Sequence, residues 1–419
     1  MIGARRPRFR KSFSFQRGER NGTSMKTRTD SPRRAIVTTT ISRTVDGFYG
    51  QIIDALQRDG FEVHVVTSDG PETTRLARRA DHVHIVTMHR RINIYADIRA
   101  LFGWLRVLLI VRPVFVLAGT PKAGLLGMIA SWMTRVPRRA YFLQGMRLEG
   151  IQGRQREILA KMEWLTSRCS HIVIAVSPSL ADRYRDLGLA AGRPLVVPHH
   201  GSSHGVDTDY FTPRQKTLGL MDELGLDRDL PVVTFIGRLT KDKGPDTLLG
   251  ALRRIRSEKA PVQLLVLGAQ DEADSAHYLS EIEREPTPVT VLPHIQDVRP
   301  YLAVSDIVVL PTRREGMPNV VLEAAAMGIP SVTTDATGAV DSVVHEHTGL
   351  IVPVGDEGAL AEAVLRLIQN QASRESMGRA ARDRVVRDFQ PEDVARAIVA
   401  LGMYGHASRA SRCAMEVTP

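Results

Sequence analysis

Residues 232–267 read VVTFIGRLTKDKGPDTLLGALRRIRSEKAPVQLLVL, and this stretch decides the fold of the second half of the chain. An apolar run, Val232–Ile236, precedes a helical pattern at Asp246–Arg256, and a second apolar run follows at Gln263–Leu267. Strands that are apolar along their whole length and separated by helices indicate a parallel sheet covered on both faces. The stretch therefore predicts a strand–helix–strand unit of a doubly wound α/β domain.

The same alternation of apolar runs and helical patterns fills the rest of the chain from Ala35 onward. Further predicted strands of the C-terminal half are Val289–Leu292, Ile307–Leu310, Ser331–Thr334 and Leu350–Val352. Those of the N-terminal half are Ala35–Thr39, Phe61–Thr67, Val83–Val86, Val114–Ala118, Arg139–Leu143, Ile172–Val176 and Leu195–Val197. The predicted fold is α/β, with two doubly wound, Rossmann-like domains. Because ligands bind beside the carboxyl ends of such strands, two domains facing across a cleft provide places for two substrates.

Length and composition agree with two domains. The chain has 419 residues, of which 43% are hydrophobic and 24% charged, as in ordinary globular proteins. We place the first domain at residues 35–200 and the second at residues 214–388, joined by a hinge at residues 201–213. The two cysteines, Cys169 and Cys413, exclude a disulfide framework and indicate a reducing compartment.

The positive charge is concentrated at the N-terminus. Residues 1–34 hold eleven Lys or Arg and two Asp or Glu, so nine of the ten net positive charges lie there and the body is near neutral. We expect this basic tail to be disordered, because it offers little apolar surface to bury. It either draws the protein to an anionic membrane face or is a solvated extension ahead of a start at Met25. The near-neutral body argues against a nucleic-acid-binding protein, the least favoured alternative.

The sequence predicts neither a secretory signal nor a membrane-spanning helix. The most apolar run, Leu101–Leu117, is interrupted by two arginines and by Pro113, which a single spanning helix does not tolerate. It predicts instead a helix at Ile98–Val111 and then a buried strand. That helix either packs in the core, the favoured interpretation, or rests on a membrane. We therefore expect a cytoplasmic protein, with peripheral contact at the inner membrane as the open alternative.

The segment RREGMPNVVLE, residues 313–323, follows a predicted strand and opens a predicted helix. Pro318 suits the first turn of a helix, where its missing N–H costs nothing. Gly316 lets the backbone approach a ligand closely. We expect the free N–H groups from Met317 to Val320 to face the cleft and to bind hydroxyl or phosphate oxygens.

The acidic residues of this segment suit a sugar nucleotide. Asn319 and Glu323 are four residues apart and share one face of the predicted helix. A carboxylate there accepts both hydroxyls of a ribose, as in dinucleotide-binding folds. Glu315, just before the helix, can bind sugar hydroxyls or stabilise positive charge at an anomeric carbon. The alternative is a helix-capping glutamate ahead of an ordinary amphipathic helix.

A second segment, FIGRLTKDKG at residues 235–244, lies at the end of the first strand of the same domain. Arg238 offers a bidentate fork and Lys243 a point charge, and both suit a diphosphate. They can stabilise the negative charge that develops on a departing nucleoside diphosphate. Taken alone the signal is weak, because basic residues in such loops are often merely solvated.

Three motifs together resemble the retaining GT-B glycosyltransferases of family 4. They are Gly-Arg-x4-Lys-Gly at residues 237–244, Glu-x7-Glu at residues 315–323 and AAAMGIP at residues 324–330, and the resemblance extends from about Ala35 to Tyr404. It implies transfer with retention at the anomeric carbon, the leaving phosphate helping to deprotonate the acceptor. It also implies a final helix, within about residues 389–405, that crosses back onto the first domain.

The resemblance assigns roles to the candidate residues. Arg238 and Lys243 are expected to bind the donor diphosphate, Glu323 the ribose, and Glu315 with the backbone of residues 316–319 the donor sugar. It implies no metal and no cofactor, since the nucleotide-sugar is a substrate. The Asp-x-Asp at residues 207–209 lies in the hinge and is interpreted as structural.

The N-terminal half narrows the resemblance. TPKAGLLG at residues 120–127 and GSSHGVD at residues 201–207 resemble the capsular, exopolysaccharide and lipid-linked-oligosaccharide branch, whose members extend glycans on polyprenyl diphosphate at the inner membrane face. Lys122 and Gln144 are the acceptor-side candidates. Gln144 stands where relatives often have a histidine, and an amide cannot act as a base. The first loop, residues 41–48, also departs from the family in offering only Gly47.

The sequence thus predicts a glycosyltransferase that moves a hexosyl or N-acetylhexosaminyl unit from a nucleotide-sugar, expected to be a UDP-sugar. The predicted acceptor is a polyprenyl-diphosphate-linked glycan or another cell-surface polysaccharide precursor. A sugar-nucleotide epimerase of the same architecture is the enzymatic alternative, and it would act without an acceptor.

Overall fold

The computed structural model describes residues 32–89, 93–269, 274–293 and 295–405. All but the last three residues of the predicted tail lie outside these ranges. Of those three, Arg33 and Arg34 begin the first strand, because their backbone pairs with Phe61 and Glu62 of the second.

The N-terminal half of the described chain forms a seven-stranded sheet in which every strand pair is parallel. Its strands are β1 (Arg33–Ile41), β2 (Phe61–Ser68), β3 (His82–Ile85), β4 (Phe115–Gly119), β5 (Arg138–Leu143), β6 (Ile172–Ala175) and β7 (Leu195–Val196). Their order across the sheet is β3-β2-β1-β4-β5-β6-β7. The middle strands are buried throughout, as their continuous apolar runs predict.

Helices cover this sheet and complete the N-terminal lobe. They are α1 (Ser42–Phe48), α2 (Gly50–Arg58), α3 (Thr73–Arg79), α4 (Ile94–Val111), α5 (Pro121–Met133), α6 (Gly153–Cys169) and α7 (Pro178–Asp186). Within the described ranges, no helix is long and apolar enough to cross a membrane.

A second parallel sheet, of six strands, forms the C-terminal lobe. Its strands are β8 (Val232–Arg238), β9 (Gln263–Ala269), β10 (Val289–Leu292), β11 (Ile307–Leu310), β12 (Ser331–Thr334) and β13 (Gly349–Val352), in the order β10-β9-β8-β11-β12-β13. The helices of this half are α8 (Leu218–Glu223), α9 (Pro245–Ser257), α10 (Ser275–Glu283), α11 (Arg299–Val304), α12 (Asn319–Ala326), α13 (Glu357–Gln369) and α14 (Gln371–Asp388). The predicted pair of doubly wound domains is confirmed.

The last helix, α15 (Pro391–Tyr404), returns to the N-terminal lobe. Its buried side chains, among them Val394 and Ile398, belong to the same core as β4 and β5. Gly402 allows this contact, because a Cβ there would lie 2.8 Å from the ring of Phe115. The predicted crossing of the final helix is confirmed, and it couples the chain's end to its first domain.

The first loop expected from the sequence, at residues 41–48, is mostly a helix instead. Residues 42–48 form α1, and the next helix, α2, begins at Gly50 after a break at Tyr49. The loop prediction failed because Ser42 and Arg43 find a long-range partner, the buried carboxylate of Glu72. That contact holds the start of α1 and is invisible to local patterns.

Candidate active site

Each sheet has one point where the strand order reverses, between β1 and β4 in the N-terminal lobe and between β8 and β11 in the C-terminal lobe. Chains leaving neighbouring strands at such a point turn to opposite faces and open a crevice at the carboxyl ends. Arg238 ends β8, and the segment from residue 313 to 323 follows β11. The topology therefore brings both predicted motifs to one crevice.

The two loops of this crevice are in direct contact. Gly244 adopts φ +71° after the short 3-10 helix Lys241–Lys243, and a Cβ there would lie 1.9 Å from the carbonyl oxygen of Pro311. Only glycine fits this left-handed position against another backbone. The Lys-Gly of the first motif thus sets the distance between the two candidate segments.

Lys243 and Glu315 form an ion pair. The ammonium group donates a hydrogen bond to Glu315 Oε1, and the side chains are only 17% and 13% exposed. The sequence analysis gave these residues separate ligand groups, a diphosphate for Lys243 and a sugar for Glu315. The structure brings them together, so the two charges balance each other in the free protein.

Asp242 organises the cations around this pair, and the sequence analysis did not single it out. Its carboxylate accepts hydrogen bonds from Thr240 and from Arg314 at 3.0 Å, and it lies 4.0 Å from Arg238 Nη2. Burial raises the pKa of Asp242, but the Thr240 hydroxyl and the nearby cations outweigh it and hold the pKa below its usual value. Asp242 therefore stays ionised, and it binds Arg314 while lying near Arg238 at the end of β8.

Glu323 and Asn319 lie on α12, as predicted. Burial raises the pKa of Glu323 to about 7. Within the described chain no hydrogen bond or ion pair engages its carboxyl group, and the buried Asn319 Oδ1 likewise has no hydrogen-bond partner there. Polar groups with these properties are rare outside functional sites, because leaving them unsatisfied costs free energy. They suit hydroxyl donors supplied by a ligand.

Pro318 precedes the helix rather than occupying its first turn. It is the N-cap residue of α12, with extended dihedral angles, and Asn319 is the first helical residue. The N–H groups of the first turn have no acceptor further back in the helix, as at any helix start. The expected oxygen-binding end of α12 is present, shifted by one residue.

Gly316 and Met317 join the two lobes. A Cβ at Gly316 would lie 2.0 Å from the carbonyl oxygen of Gln144, so glycine is required for this approach. The Met317 side chain is buried in the core cluster of the N-terminal lobe. The observed reason for both residues is contact between lobes, whereas their predicted contact with a donor sugar stays a prediction.

Gln144 lies at this junction, directly after β5. Its side-chain oxygen accepts a hydrogen bond of 3.2 Å from the buried hydroxyl of Tyr49. Gly119 makes room for the pair, since a Cβ there would lie 1.8 Å from the Tyr49 hydroxyl. The acceptor-side candidate thus faces the crevice from the N-terminal lobe, opposite Gly316.

Lys122, the other acceptor-side candidate, is buried at the start of α5. Its ammonium group donates to both carboxylate oxygens of Asp97 on α4, at 2.7 and 2.6 Å. Thr120, two residues before Lys122, has φ +63°, and its hydroxyl accepts a hydrogen bond from the Thr40 backbone N–H. A non-glycine residue in this conformation at a strand switch point marks a constrained part of the fold.

Further bonds tie the lobes together beside the crevice. The backbone N–H of Ser179 donates to Asp341 at 2.9 Å, and Gly338 N–H donates to the Ser179 hydroxyl at 2.7 Å. The Thr337 hydroxyl donates to Glu149 at 2.9 Å. None of these residues had a sequence signal, because each pair is separated by more than 150 residues.

The hinge candidates behave as structural residues. The Asp207 carboxylate accepts the backbone N–H groups of Asp209 and Tyr210 and so caps a turn. The His204 ring lies 5.0 Å from that of Phe48 and contacts the Ser203 hydroxyl. Burial lowers the pKa of His204 to about 4, so this imidazole is neutral.

Family comparisons match both lobes. A family described as "Glycosyl transferase 4-like domain" matches residues 48–200, and one described as "Glycosyl transferases group 1" matches residues 230–370. The chain is 33% identical over 356 residues to the capsular polysaccharide biosynthesis glycosyltransferase CapM of Staphylococcus aureus, covering 84% of this chain and 92% of that one. It is 24% identical to the UDP-Gal:alpha-D-GlcNAc-diphosphoundecaprenol alpha-1,3-galactosyltransferase of Escherichia coli, covering 81% and 88%.

Solved structures agree on the fold. Sucrose-phosphate synthase of Thermosynechococcus elongatus and Anabaena Alr3699/HepE with UDP and glucose each superpose with a TM-score of 0.72 at 20% identity, covering 88% of this chain and 98% of theirs. The two lobes and their crevice are therefore those of a GT-B enzyme. The chain belongs to the group 1 glycosyltransferases, as its motifs predicted.

Proposed function

We propose that this glycosyltransferase moves a hexosyl or N-acetylhexosaminyl unit, with retention, from a UDP-sugar to a polyprenyl-diphosphate-linked glycan or another cell-surface polysaccharide precursor. One observation carries the proposal: Arg238, Lys243, Glu315 and Glu323 gather at the carboxyl ends of two neighbouring strands. That arrangement offers cations for a diphosphate and carboxylates for hydroxyl groups in a single crevice.

Arg238 and Lys243 are assigned to the donor diphosphate. As the bond to the sugar breaks, negative charge accumulates on the leaving diphosphate, and two fixed cations stabilise it. In the free protein Lys243 binds Glu315. When the donor binds, the diphosphate takes over Lys243 and the sugar hydroxyls take over Glu315, so neither charge is left without a partner.

Glu323 and Asn319 are assigned to the nucleoside. Burial raises the pKa of Glu323 in the free protein. Two ribose hydroxyls would supply hydrogen-bond donors and favour the ionised form. Asn319 Oδ1 is the second acceptor that a ligand can satisfy.

Retention and the identity of the proton acceptor rest on the family resemblance. The leaving phosphate is assigned the role of deprotonating the acceptor hydroxyl, because the facing Gln144 is an amide. The names of the two relatives support the acceptor class, since one acts in capsular polysaccharide biosynthesis and the other uses UDP-Gal and a diphosphoundecaprenol acceptor.

The outer face of α4 supports work at a membrane surface. Trp104, Leu108 and Val111 bury one face of this helix in the core, as the favoured interpretation predicted. The opposite face exposes large apolar side chains: Ile94, Tyr95, Ile98, Phe102, Leu109 and Ile110. Exposed arginines lie among them, at residues 99, 106 and 112. Apolar side chains flanked by arginines suit the interface of an anionic bilayer, where a lipid-linked acceptor resides.

The transfer is tested with purified enzyme, a panel of nucleotide-sugars and a polyprenyl-diphosphate-linked sugar acceptor. We expect donor consumption only when the acceptor is present, and a product whose new bond keeps the anomeric configuration of the donor. Rapid donor turnover without acceptor, with release of an epimer, would instead identify an epimerase. An inverted linkage would overturn retention alone.

Membrane contact is tested by flotation with vesicles of neutral or anionic lipid. The doubly substituted Phe102→Ser/Leu109→Ser enzyme should lose binding to anionic vesicles while keeping its circular dichroism spectrum. Substitution of Trp164, an exposed aromatic residue on α6, by Ser is the matched control. Equal flotation of wild-type and doubly substituted enzyme contradicts a role for α4.

A further inference from the structure

A histidine cluster lies on the other side of the N-terminal sheet from the crevice. Glu62 and His64 are two residues apart in the amino-terminal half of β2, so their side chains point to the same face of the sheet. β3 pairs with β2 in parallel, and its first residue, His82, is opposite His64. His84 lies two residues further on the same face of β3. Strand register thus collects one carboxylate and three imidazoles near the amino ends of two strands.

Three of these side chains converge on one point. His82 Nε2 lies 2.9 Å from Glu62 Oε1, and His64 Nε2 lies 3.5 Å from the same oxygen. One donor atom from each of the three residues lies within 4.8 Å of the others. Ligand atoms of a tetrahedral zinc ion are about 3.3 Å apart, given bonds of about 2.0–2.1 Å. The two distances to the Glu62 oxygen are close to that spacing.

His64 supplies an independent sign of a missing partner. Its side chain is 7% exposed, and Nε2 is buried without a hydrogen bond in the described part of the chain. Its other nitrogen, Nδ1, lies 2.9 Å from His84 Nε2. A hydrogen bond to the second nitrogen is how metal-binding imidazoles are oriented and their tautomer fixed. With Nδ1–H donated to His84, Nε2 carries the lone pair and lies 3.5 Å from the Glu62 oxygen.

Arg34 leaves the converging oxygen of Glu62 available. The guanidinium Nε donates to Oε2 at 2.9 Å, whereas Oε1 is the atom that faces both imidazoles. Arg34 thereby orients the carboxylate as well as pairing with it. His82 is half exposed, which gives an ion a path from solvent and leaves room for a water as fourth ligand.

We propose that Glu62, His64 and His82 bind a divalent transition metal ion, Zn²⁺ above all, at the outer edge of the N-terminal sheet. Two imidazoles and a carboxylate form a donor set of known zinc sites, and imidazole suits borderline metals over Mg²⁺ or Ca²⁺. His84 acts as a positioning residue. Because β3 is an edge strand held by β2 alone within this sheet, the ion fastens it and stabilises the folded lobe. The family resemblance implied no metal, and these ligands are spread over two strands with no recognisable spacing in the sequence.

The test titrates Zn²⁺ into the full chain, prepared without an affinity tag and stripped with a chelator, against a chromophoric competitor. We expect one equivalent bound by the wild-type protein and a higher melting temperature with Zn²⁺. His82→Ala should raise the Kd by more than about a hundredfold, and His84→Ala by about 10–100-fold, as for residues that orient a ligand. His347→Ala, at an exposed histidine in the C-terminal lobe, is the matched control and should bind like wild type.

Two outcomes would overturn the proposal. One is a stoichiometry and Kd for His82→Ala equal to those of the wild type, and the other is no bound equivalent in the wild type. Replacement of Zn²⁺ by Co²⁺ gives a second readout, because four-coordinate cobalt absorbs visible light and His82→Ala should abolish the band. The outcome is independent of donor binding, whose proposed residues lie in the other lobe.

Discussion

Two lysines of this enzyme lie on opposite sides of the switch points of their sheets, and each has a different kind of partner. Lys122 begins the helix after β4, and Lys243 precedes the helix after β8, so each lies at the carboxyl end of a strand beside a switch point. From the sequence, Lys243 was expected to bind the donor diphosphate and Lys122 was a candidate on the acceptor side. Each has a carboxylate partner in the structure, Asp97 for the first and Glu315 for the second.

The two lysines differ in which part of the chain supplies the carboxylate partner. Asp97 belongs to α4, which packs along α5, and the Lys122 side chain is only 6% exposed. That pair fixes two helices of one lobe. Glu315 belongs to the neighbouring candidate segment, so the Lys243 pair joins two groups that both suit the donor. The same residue type beside a switch point joins two helices in one lobe, and in the other it pairs with a carboxylate of the segment proposed to bind the donor.

The largest expected effect is on stability, from breaking the buried pair. Lys122→Met leaves the Asp97 carboxylate without its cation, which should lower the free energy of unfolding by about 3 kcal/mol. Urea denaturation measures it, with the exposed Lys241→Met as control, expected within about 0.5 kcal/mol of wild type. An unchanged unfolding curve for Lys122→Met would show that the Lys122–Asp97 pair does not stabilise the folded protein.

The next effect is on turnover. Lys243→Ala removes a cation that stabilises the leaving diphosphate, and kcat should fall by more than about a hundredfold. Lys241→Ala, two residues away in the same 3-10 helix, should keep the wild-type rate. A Lys243→Ala enzyme that turns over at the wild-type rate shows that the diphosphate assignment is wrong.

Glu323 differs from the two lysines because, within the described chain, no charged partner contacts its carboxyl group. Its role can be tested by varying the pH. Burial raises its pKa to about 7, so the folded state binds a proton more tightly than the unfolded chain. Its contribution to stability is therefore full at low pH and is lost as pH rises toward about 7. Donor binding runs the opposite way, because the carboxylate accepts the ribose hydroxyls.

We expect the donor Kd to rise about tenfold from about pH 8 to about pH 6. Over this range the protonated fraction of Glu323 rises from about one in ten molecules to about nine in ten. Glu323→Gln should bind donor weakly at both pH values, with the slope gone. Calorimetric titration with UDP at each pH measures it. A slope that persists in Glu323→Gln assigns the titration to another group.

The smallest expected effect tests whether Glu315 competes with the donor diphosphate for Lys243. Glu315→Gln removes the competing charge, so UDP alone should bind about fivefold more tightly while sugar transfer falls. Asp97→Asn is the matched change in the N-terminal lobe and should leave UDP affinity unaltered. Weaker UDP binding by Glu315→Gln would mean that the carboxylate positions Lys243 rather than competing for it.

Much of the fold could be predicted, for reasons that particular elements show. The continuous apolar runs of β4 and β11 are buried on both faces, and the final helix implied by the resemblance within about residues 389–405 is found at Pro391–Tyr404. These are local properties of chain segments. Residues 42–48 were expected to be a loop and form α1 because Glu72, far along the chain, binds Ser42.

The candidate site divides in the same way. Arg238, Lys243, Glu315 and Glu323 were identified from motifs and meet at one crevice. Asp242, which binds Arg314 and lies near Arg238, was overlooked because an aspartate in a polar loop has no local signature. The reason for Gly316 changed, since its missing Cβ makes room for Gln144 of the other lobe.

The sequence by itself determined the two parallel sheets and the residue types at the ends of β8 and β11. Periodicity and glycine-bearing loops encode these features within a few tens of residues. Only the tertiary structure decided the partner of each charge: Asp97 for Lys122, Glu315 for Lys243, and the convergence of His64 and His82 with Glu62. Such pairings depend on strand register and on packing between distant segments, and a single sequence carries no local record of either.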